Sequence, residues 1–370
     1  MIDNRYTGMH CWGRKLGADK KVTVAPEKTA VLIGAGMVAG THVAAIAAGA
    51  SVRLKAVCSR TMARAQALAD EASKRTGYPV AALTDIGDVA ADPEVDFAII
   101  LTPPDARIDP IRQLAAAGKH ILVEKPMGRT ANEAREVVAI CRAAGVTLGV
   151  VFQHRMRAAS RAAARRIASG DLGALGLVEM AVPWWRAQSY YDEPGRGTYA
   201  RDGGGVLISQ AIHTIDLALS LAGPVTSVRA MAATTRFHQM ESEDFAVAGL
   251  TFANGAVGAM VASTASFPGA AESITLHFEQ ASLHLASGQL VTRWRDGRAE
   301  TEGAVGGTGG GADPMAFTHE WHQAIIEDFA AALSEGRDPI VSGAAALPAH
   351  DLIDATIRSA QSGQIEGIDP

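Results

Sequence analysis

The chain contains 370 residues, of which 48% are hydrophobic and 20% are charged, and its formal charge is -5. This length predicts two domains, and the composition excludes a disordered chain because enough apolar surface is available for large buried sheets. Basic residues form no run longer than Arg165–Arg166, so nucleic acid is not an expected partner.

Residues 1–28 are mostly polar or charged and are predicted to form a flexible tail. They lack the apolar core of a secretory signal, and no stretch approaches the roughly 18 apolar residues of a membrane span. We therefore expect a cytoplasmic protein with no membrane partner. The cysteines Cys11, Cys58 and Cys141 form no CxxC pair, which favours free buried thiols over disulfides or a thiolate metal site.

Residues 29–152 alternate between short apolar runs and amphipathic helical patterns. The strand-like runs are TAVLIG, RLKAVCS, VDFAIILTP, KHILVEKP and TLGVVFQ. Helical patterns such as RAQALADEASKR and NEAREVVAICRAAG separate them. This alternation predicts βαβ units, and so an α/β domain whose parallel sheet is covered by helices on both faces.

Residues 153–370 have a different rhythm and are predicted to form a second domain of the α+β class. Strand-like runs follow one another with few helices between them, and the turn pairs Asn254–Gly255 and Asp296–Gly297 are hairpin signals. A large open, mostly antiparallel sheet is therefore expected. The glycine-rich residues 303–312 predict a flexible loop, and two helical patterns close the chain.

The segment GAGMVAG follows the first predicted strand and opens a helix, as in a dinucleotide-binding fingerprint. Gly34 permits the tight turn, Gly36 lets the backbone approach a pyrophosphate, and Ala39 is small enough for helix–strand packing. Met37 and Val38 lie between them and are included in the predicted site. The first domain is therefore predicted to be a Rossmann domain that binds NAD or NADP.

The second predicted strand ends in Cys58, Ser59 and Arg60, with no acid at the place where a carboxylate usually binds the ribose 2′-hydroxyl. A hydroxyl and a guanidinium suit a 2′-phosphate, and Arg64 lies one helical turn further on. NADP is therefore preferred as the cofactor. NAD stays open as the alternative, because Arg60 can also stack on the adenine.

Four segments in this order, GAGMVAGTH, LTPPD, EKP and GGGVLISQAIHTID, resemble the Gfo/Idh/MocA oxidoreductases, relatives of glucose–fructose oxidoreductase and inositol dehydrogenase. The resemblance runs from about residue 29 to about residue 363. It implies a Rossmann domain followed by a domain for substrate binding and oligomerisation, whose open sheet forms a homodimer or homotetramer interface. It also implies an NAD(P)-dependent dehydrogenase or reductase acting on CH–OH groups of sugars, sugar derivatives or cyclitols.

The resemblance extends the predicted cofactor site beyond the glycine turn to loops that follow later strands. These further residues are Thr102, Pro103, Pro104, Glu124, Lys125, Pro126 and Gln153. The residues predicted to contact the substrate are Lys125, Arg155, Arg186, Tyr190, Tyr191, Ser209, Gln210 and His213. For the two tyrosines, stacking on a sugar and core packing are both open interpretations, and Arg186 suits an acidic substrate or the nicotinamide amide.

Hydride transfer requires that the substrate hydroxyl loses its proton and that the developing oxygen charge is stabilised. Lys125 lies at the carboxyl end of a predicted parallel strand, where ligands bind in this fold. To act as a base near neutral pH, its pKa must fall by roughly 3 units, through burial and the nicotinamide charge. Because an unperturbed histidine already titrates near neutral pH, His213 is the preferred general base and Lys125 the electrostatic clamp.

The helix that carries His213 departs from the family's pattern in one place. Ser209 stands where the family often has an aspartate, four residues before the histidine, so both are expected on one helical face. Asp216 either orients His213 or is an ordinary helix acid. Further upstream, LTPPDAR places Arg107 where relatives often have histidine.

Two acidic or histidine-rich segments are interpreted as ordinary surface. In HEWH the histidines His319 and His322 are three residues apart and no third ligand is apparent, so a helix with polar surface residues is expected rather than a metal site. The acids Glu241, Glu243 and Asp244 are expected to form a solvated turn before a strand.

Two other functions compete with the dehydrogenase. One is a redox-neutral glycosidase that uses a tightly held NAD on the same fold, and stoichiometric NAD(P)H accumulation would argue against it. The other is a regulator that senses a dinucleotide or sugar without turnover. The presence of both Lys125 and His213 argues against that regulator.

Overall fold

The computed structural model describes residues 28–305 and 318–369, and its first part is a six-stranded parallel sheet in the order β3-β2-β1-β4-β5-β6. The strands are β1 (Lys28–Ile33), β2 (Val52–Cys58), β3 (Ala81–Leu83), β4 (Phe97–Ile100), β5 (His120–Glu124) and β6 (Leu148–Val151). The intervening helices are α1 (Ala39–Ala48), α2 (Met62–Thr76), α3 (Ile86–Ala91), α4 (Ile108–Ala116) and α5 (Ala131–Ala143). The predicted Rossmann topology is confirmed.

The parallel sheet is buried on both faces. Residues Ala30–Ile33 of β1 and Phe97–Ile100 of β4 are at most 2% exposed. Such continuous apolar strands occur where helices cover both sides of a sheet. Small residues of α1, including Ala39 and Ala45, are buried, and this helix packs against α2 and β2.

The second sheet has nine strands in the order β14-β13-β12-β11-β7-β10-β9-β8-β15. They are β7 (Leu175–Pro183), β8 (Val225–Ala233), β9 (Phe245–Phe252), β10 (Val257–Ser263), β11 (Ser273–Phe278), β12 (Ala281–Ala286), β13 (Gln289–Trp294), β14 (Ala299–Gly303) and β15 (Glu366–Gly367). The pair β7–β10 is parallel and the other pairs are antiparallel, which confirms the mostly antiparallel sheet.

One face of this second sheet packs against helices, and burial alternates along its strands. In β11, Ile274, Leu276 and Phe278 are buried while their neighbours are half-buried, as the two-residue period of a strand requires. The helices of this region are α6 (Ala158–Ala168), α7 (Gln188–Tyr191), α8 (Ile212–Ala222), α9 (Glu320–Glu335) and α10 (Gly343–Ser362).

Helix α9 returns to the first sheet although it lies late in the chain. The Phe329 ring lies 5.2 Å from the Phe97 ring of β4, and a side chain at Gly149 of β6 would collide with Phe329. Part of the segment 153–370, the helix α9, therefore packs on the first sheet. The domain boundary at residue 153 stays a prediction about chain order.

The structure tests the predicted start of the first strand, the cysteines and the absence of membrane spans. The first strand begins at Lys28, one residue earlier than predicted, because the Lys28 N–H bonds to the Ser51 carbonyl. Residues 1–27, with Cys11, and residues 306–312 of the predicted glycine-rich loop lie outside the described residues. Cys58 and Cys141 are free and buried, as predicted. No helix within residues 28–305 and 318–369 is long and apolar enough to cross a membrane.

Candidate active site

The predicted cofactor residues lie at the carboxyl edge of the parallel sheet. Strands β1 and β4 are neighbours in the sheet, and the order of strands reverses there. At such a switch point the loops diverge and leave a crevice, which is where doubly wound sheets bind ligands. The loops after β1, β2, β4, β5 and β6 therefore open toward one region.

The glycine turn after β1 is tight at Gly34 and open at Gly36. Gly34 has a φ of +111°, and a Cβ there would lie 3.1 Å from the Thr102 nitrogen. A Cβ at Gly36, by contrast, would meet no heavy atom within 4 Å. Val38 begins α1 without a side-chain cap, and Met37 is 55% exposed. The amino end of α1 therefore fits an anionic group.

The predicted ribose end lies beside this turn. The Gly34 N–H donates to the Cys58 carbonyl over 2.8 Å, which places the end of β2 next to the glycine turn. Ser59 follows and is half-buried, while Arg60 and Arg64 are exposed. Their position suits contact with the adenosine half of a dinucleotide.

Glu124 is buried at the end of β5 and accepts hydrogen bonds instead of facing the crevice. Its Oε1 lies 2.9 Å from His42 Nε2 and 3.6 Å from His322 Nε2, and its Oε2 accepts the Lys125 N–H. Burial disfavours its charge, but the two imidazoles hold the pKa of Glu124 well below its ordinary value. We therefore assign its carboxylate to positioning rather than to cofactor contact.

His322 corrects the interpretation of HEWH as a helix of polar surface residues. It is 1% exposed, because α9 packs on the first sheet and turns this histidine toward Glu124. Nitrogen and oxygen atoms of His42, Glu124 and His322 all lie within 4.8 Å of one another, a composition that also suits a metal. The 2.9 Å separation between His42 and Glu124 is a hydrogen-bond distance.

Lys125 reaches from the first domain to the helical turn before His213. Its Nζ donates to the Ser209 carbonyl over 2.7 Å. Burial lowers the pKa of Lys125 from 10.5 to about 8, with Arg107 and Arg196 adding to this effect and Glu124 and Asp202 opposing it. Thr102 and Pro103 lie in the loop after β4, Pro126 directly follows this lysine, and Pro104 is buried.

The segment GGGVLISQAIH does not begin as an ordinary α-helix. Residues Leu207–Ala211 form a π-helical turn, a feature that is frequent at functional sites. Ser209 donates its hydroxyl to the Gly205 carbonyl, so only its backbone oxygen meets Lys125. The simple spacing of four residues on one α-helical face is therefore wrong for Ser209 and His213.

Glu243 holds the start of this segment and corrects the prediction of a solvated acidic turn. Its carboxylate accepts the Gly205 and Leu207 N–H groups, and it is 5% exposed. A Cβ at Gly205 would lie 1.8 Å from the Glu243 carbonyl, so glycine is required. Asp244 is also buried and pairs with His238. The residue types alone contained no signal for this burial.

His213 is 6% exposed and stacks on His154, with ring centroids 4.6 Å apart. Burial, aided by the Lys125 charge, lowers the pKa of His213 well below its ordinary value of 6.5. The premise of an unperturbed histidine is therefore wrong. Its Nδ1 has no hydrogen-bond partner among the described residues.

Arg155 and Asp216 form a buried pair rather than a substrate contact. Arg155 Nε and Nη2 lie 2.8 and 2.6 Å from the two carboxylate oxygens, and Nη2 also donates to the Ala345 carbonyl. Both interpretations of Asp216 are therefore replaced, because its carboxylate is bound to Arg155. We do not place Arg155 in the substrate site.

Other buried polar atoms of the predicted site have no partner in the described part of the chain. They are Gln153 Oε1 and both side-chain polar atoms of Gln210. Buried polar groups are nearly always paired, so unpaired ones in a cleft indicate a site for a ligand or water.

The segment around α7 has aromatic and basic side chains. Tyr191 is buried and its hydroxyl pairs with Thr264 at 2.6 Å, which supports the packing interpretation. Arg196, which sequence reasoning missed, donates to the Tyr190 hydroxyl at 3.0 Å and stacks on that ring. The Arg186 guanidinium carbon lies 5.9 Å from the Tyr190 ring centre. The pairing of Arg196 with Tyr190 depends on the fold, which brings the two side chains together.

Comparisons with known proteins agree with this architecture. The family model described as "Oxidoreductase family, NAD-binding Rossmann fold" matches residues 28–152, and "GFO/IDH/MocA C-terminal domain" matches residues 160–284. Together these ranges cover more than half of the chain.

Two relatives and one solved structure illustrate the similarity. YrbE of Bacillus subtilis (strain 168), an uncharacterized oxidoreductase, is 31% identical over 61% of this chain and 64% of its own. Inositol 2-dehydrogenase of Rhizobium meliloti (strain 1021) is 32% identical over 55% and 57%, so these alignments span less than two thirds of each relative. The WlbA dehydrogenase from Bordetella pertussis, in complex with NADH and UDP-GlcNAcA, has a TM-score of 0.76 at 27% identity, covering 93% of this chain and 99% of that one.

Proposed function

Because the chain belongs to the GFO/IDH/MocA family of oxidoreductases, with its NAD-binding Rossmann domain, we propose that it transfers a hydride between a nicotinamide and the carbinol or carbonyl carbon of a sugar, a sugar derivative or a cyclitol. The observation that carries this proposal is the 2.7 Å contact between Lys125 Nζ and the Ser209 carbonyl. It brings the lysine beside the crevice close to the turn that leads into His213.

We assign the transfer of the substrate hydroxyl proton to Lys125. When bound, the nicotinamide supplies the carbon that accepts or returns the hydride. In the oxidation direction, neutral Lys125 accepts the hydroxyl proton while the carbon–oxygen double bond forms; in reduction, its ammonium returns that proton. With a pKa of about 8, about a tenth of the lysine is neutral at pH 7, far more than for an ordinary lysine.

His213 then acts as a neutral hydrogen-bonding group. A histidine with a pKa well below 6.5 is a weak base at pH 7, whereas a base works best when its pKa lies near the working pH. The proton-acceptor role therefore passes from His213 to Lys125. We assign His213, Gln210 and the Tyr190 ring to orienting the substrate.

For the cofactor, we propose NADP with NAD as the alternative. Arg60 and Arg64 are exposed beside the glycine turn and suit a 2′-phosphate. The WlbA dehydrogenase was solved with NADH, which supports the alternative. A cytoplasmic location also remains a proposal.

The direct test is a screen of free pyranoses, sugar acids, nucleotide sugars and cyclitols with NAD⁺ and NADP⁺ side by side, followed by nicotinamide absorbance. We expect reduced nicotinamide to accumulate in proportion to oxidised substrate for one of these classes. Turnover of a glycoside without net reduction would favour the redox-neutral glycosidase. Tight dinucleotide binding without turnover of any of these classes would contradict the proposed dehydrogenase.

Gly36→Ala separates cofactor binding from folding. Since a Cβ at this position has open space, we expect the free energy of unfolding to change by less than about 0.5 kcal/mol. The methyl group would stand where a pyrophosphate approaches, so the dinucleotide Kd should rise about tenfold or more. Calorimetric titration and urea unfolding measure the two quantities.

The matched control is Gly40→Ala on the same helix, where the nearest atom to a new Cβ is 3.9 Å away. It should stabilise α1 by up to about 1 kcal/mol and leave dinucleotide affinity unchanged. Equal affinities for the two variants would remove the glycine turn from the proposed cofactor site.

We also propose that the open face of the second sheet joins copies of the chain. Leu177 pairs with Val257, and Val261 pairs with Val247, which pairs with Met231, so these side chains share one face. Four of the five are large hydrophobic residues that are at least 37% exposed: Leu177, Met231, Val257 and Val261. Apolar faces of this kind mark association surfaces.

Val261→Asp should therefore convert a dimer or tetramer into smaller species in light-scattering chromatography, because a charge would be buried at the interface. Met62→Asp, an exposed position on α2, is the control and should leave the mass unchanged. A wild-type protein that is already monomeric at micromolar concentration would refute the proposed interface.

A further inference from the structure

We propose that Arg107 is a positioning residue whose guanidinium clamps the backbone on both sides of Lys125 and sets a permanent positive charge behind its ammonium. This inference rests on the proposed role of Lys125 in proton transfer. Nothing in the fingerprint or in the EKP segment points to Arg107.

The clamp is formed by three backbone carbonyls. Arg107 lies just before α4 and is 3% exposed. Its Nε donates to the Thr102 carbonyl over 2.8 Å, and its Nη1 donates to the carbonyls of Glu124 and Pro126. These last two residues immediately flank Lys125. One planar side chain thus ties the loop after β4 to the loop that carries the lysine.

The guanidinium is also a charge without a bonded counter-ion. Its three hydrogen bonds go to neutral carbonyls, and no ion pair within the described ranges includes it. Burial lowers the pKa of Arg107 to about 10, although Glu124, Asp105 and Asp202 oppose this shift. Burying a cation in this way is costly, so a neutral side chain would be the cheaper means of filling this space.

The charge acts on the reacting group. Glu124 and Asp202 favour the ammonium form of Lys125, whereas burial, Arg107 and Arg196 disfavour it. His213, which faces the lysine from α8, is neutral at pH 7 and adds no charge. The Glu124 carboxylate is next to Lys125 in sequence and raises its pKa. The positive charges of Arg107 and Arg196 act against this increase. Without Arg107, the neutral lysine would be rarer at a given pH.

The test measures the pKa of Lys125 directly, by competitive acetylation at a series of pH values and mass spectrometry of the peptide that contains it. This measurement needs no substrate and no turnover. We expect about 8 in the wild type. In Arg107→Met we expect a rise of roughly 0.5 to 1 unit, since a nearby like charge is removed. The kcat/KM profile for oxidation should shift to higher pH by the same amount, and kcat should fall about tenfold or more as the loop loosens.

Arg107→His serves if the methionine variant fails to fold, because an imidazole N–H can still donate to one of the backbone carbonyls, and it also removes the permanent charge. Arg107→Lys keeps the charge and should retain most of the low Lys125 pKa while losing part of the clamp.

Lys119→Met is the matched control. Lys119 is a buried cation that donates to the carbonyls of Asp92 and Val95 at the opposite edge of the sheet, so its loss should not move either pH profile.

An unchanged Lys125 pKa in folded Arg107→Met or Arg107→His would overturn the inference. So would an equal shift in Lys119→Met, because the effect would then be a general loosening of the domain. Failure of the proposed function is a separate result: Lys125 would be dispensable for turnover, whatever its pKa.

Discussion

Lys125→Met is expected to lower kcat about 100-fold or more, because proton transfer loses its acceptor, while the dinucleotide still binds. The substitution leaves the residues of the glycine turn and of the end of β2 unchanged. Within residues 28–305 and 318–369, the side-chain hydrogen bond that it removes is the one from Nζ to the Ser209 carbonyl. Steady-state rates with the substrate found by the screen, and calorimetric titration of the dinucleotide, measure the two effects.

The same variant should not be less stable than the wild type at neutral pH. The folded-state pKa of Lys125 is about 8 and its ordinary value is 10.5. Between these values the unfolded chain binds more protons than the folded one, so stability rises with pH and the cost of burying the ammonium is fully present below pH 8. Replacing the lysine with methionine removes this cost. An activity loss that came with a fall in Tm would therefore indicate misfolding instead of lost chemistry.

The pKa of Lys125 predicts how kcat/KM changes with pH in each direction of the reaction. Oxidation needs neutral Lys125, so kcat/KM in that direction should rise through about pH 8 and then level off. Reduction needs the ammonium and should decline through the same range. A rate that followed a single group titrating well below pH 6.5 would assign the proton to His213 after all.

Asp216→Leu is expected to destabilise the protein by about 3–5 kcal/mol, because it leaves the buried Arg155 guanidinium without its carboxylate. The pair is bidentate, its side chains are 8% and 1% exposed, and it joins the turn after β6 to α8. Urea unfolding at pH 7 measures the change. Among the residues that the structure describes, the Ala345 carbonyl alone would remain as a hydrogen-bond partner of the Arg155 side chain.

Two further variants test this explanation. In Arg155→Met/Asp216→Leu no charge is left behind, so we expect the double variant to recover much of the lost stability. Glu302→Ala removes an exposed acid that lies 3.7 Å from both Arg165 and Arg166, and it should change stability by less than about 1 kcal/mol. Equal losses for the buried and the exposed acid would rule out desolvation as the cause.

The architecture and half of the site were accessible from the sequence because they depend on local patterns. Alternating apolar runs and helices require a parallel sheet, and a glycine-rich turn between strand and helix needs only neighbouring residues. The position of Lys125 followed from the polarity of parallel strands, whose carboxyl ends meet at one edge. Each of these inferences uses either a local pattern or the general polarity of a parallel sheet.

What only the tertiary structure decided is the state of the charged groups. His42 and Glu124 are 82 positions apart, and Arg155 and Asp216 are 61 apart, yet each pair lies at hydrogen-bond distance. A pKa depends on burial and on all nearby charges, whichever segments bring them. The same histidine that looked like a base by residue type is therefore a neutral group in the fold. Burial lowers the pKa of Lys125, which residue type alone suggested as a clamp, to about 8.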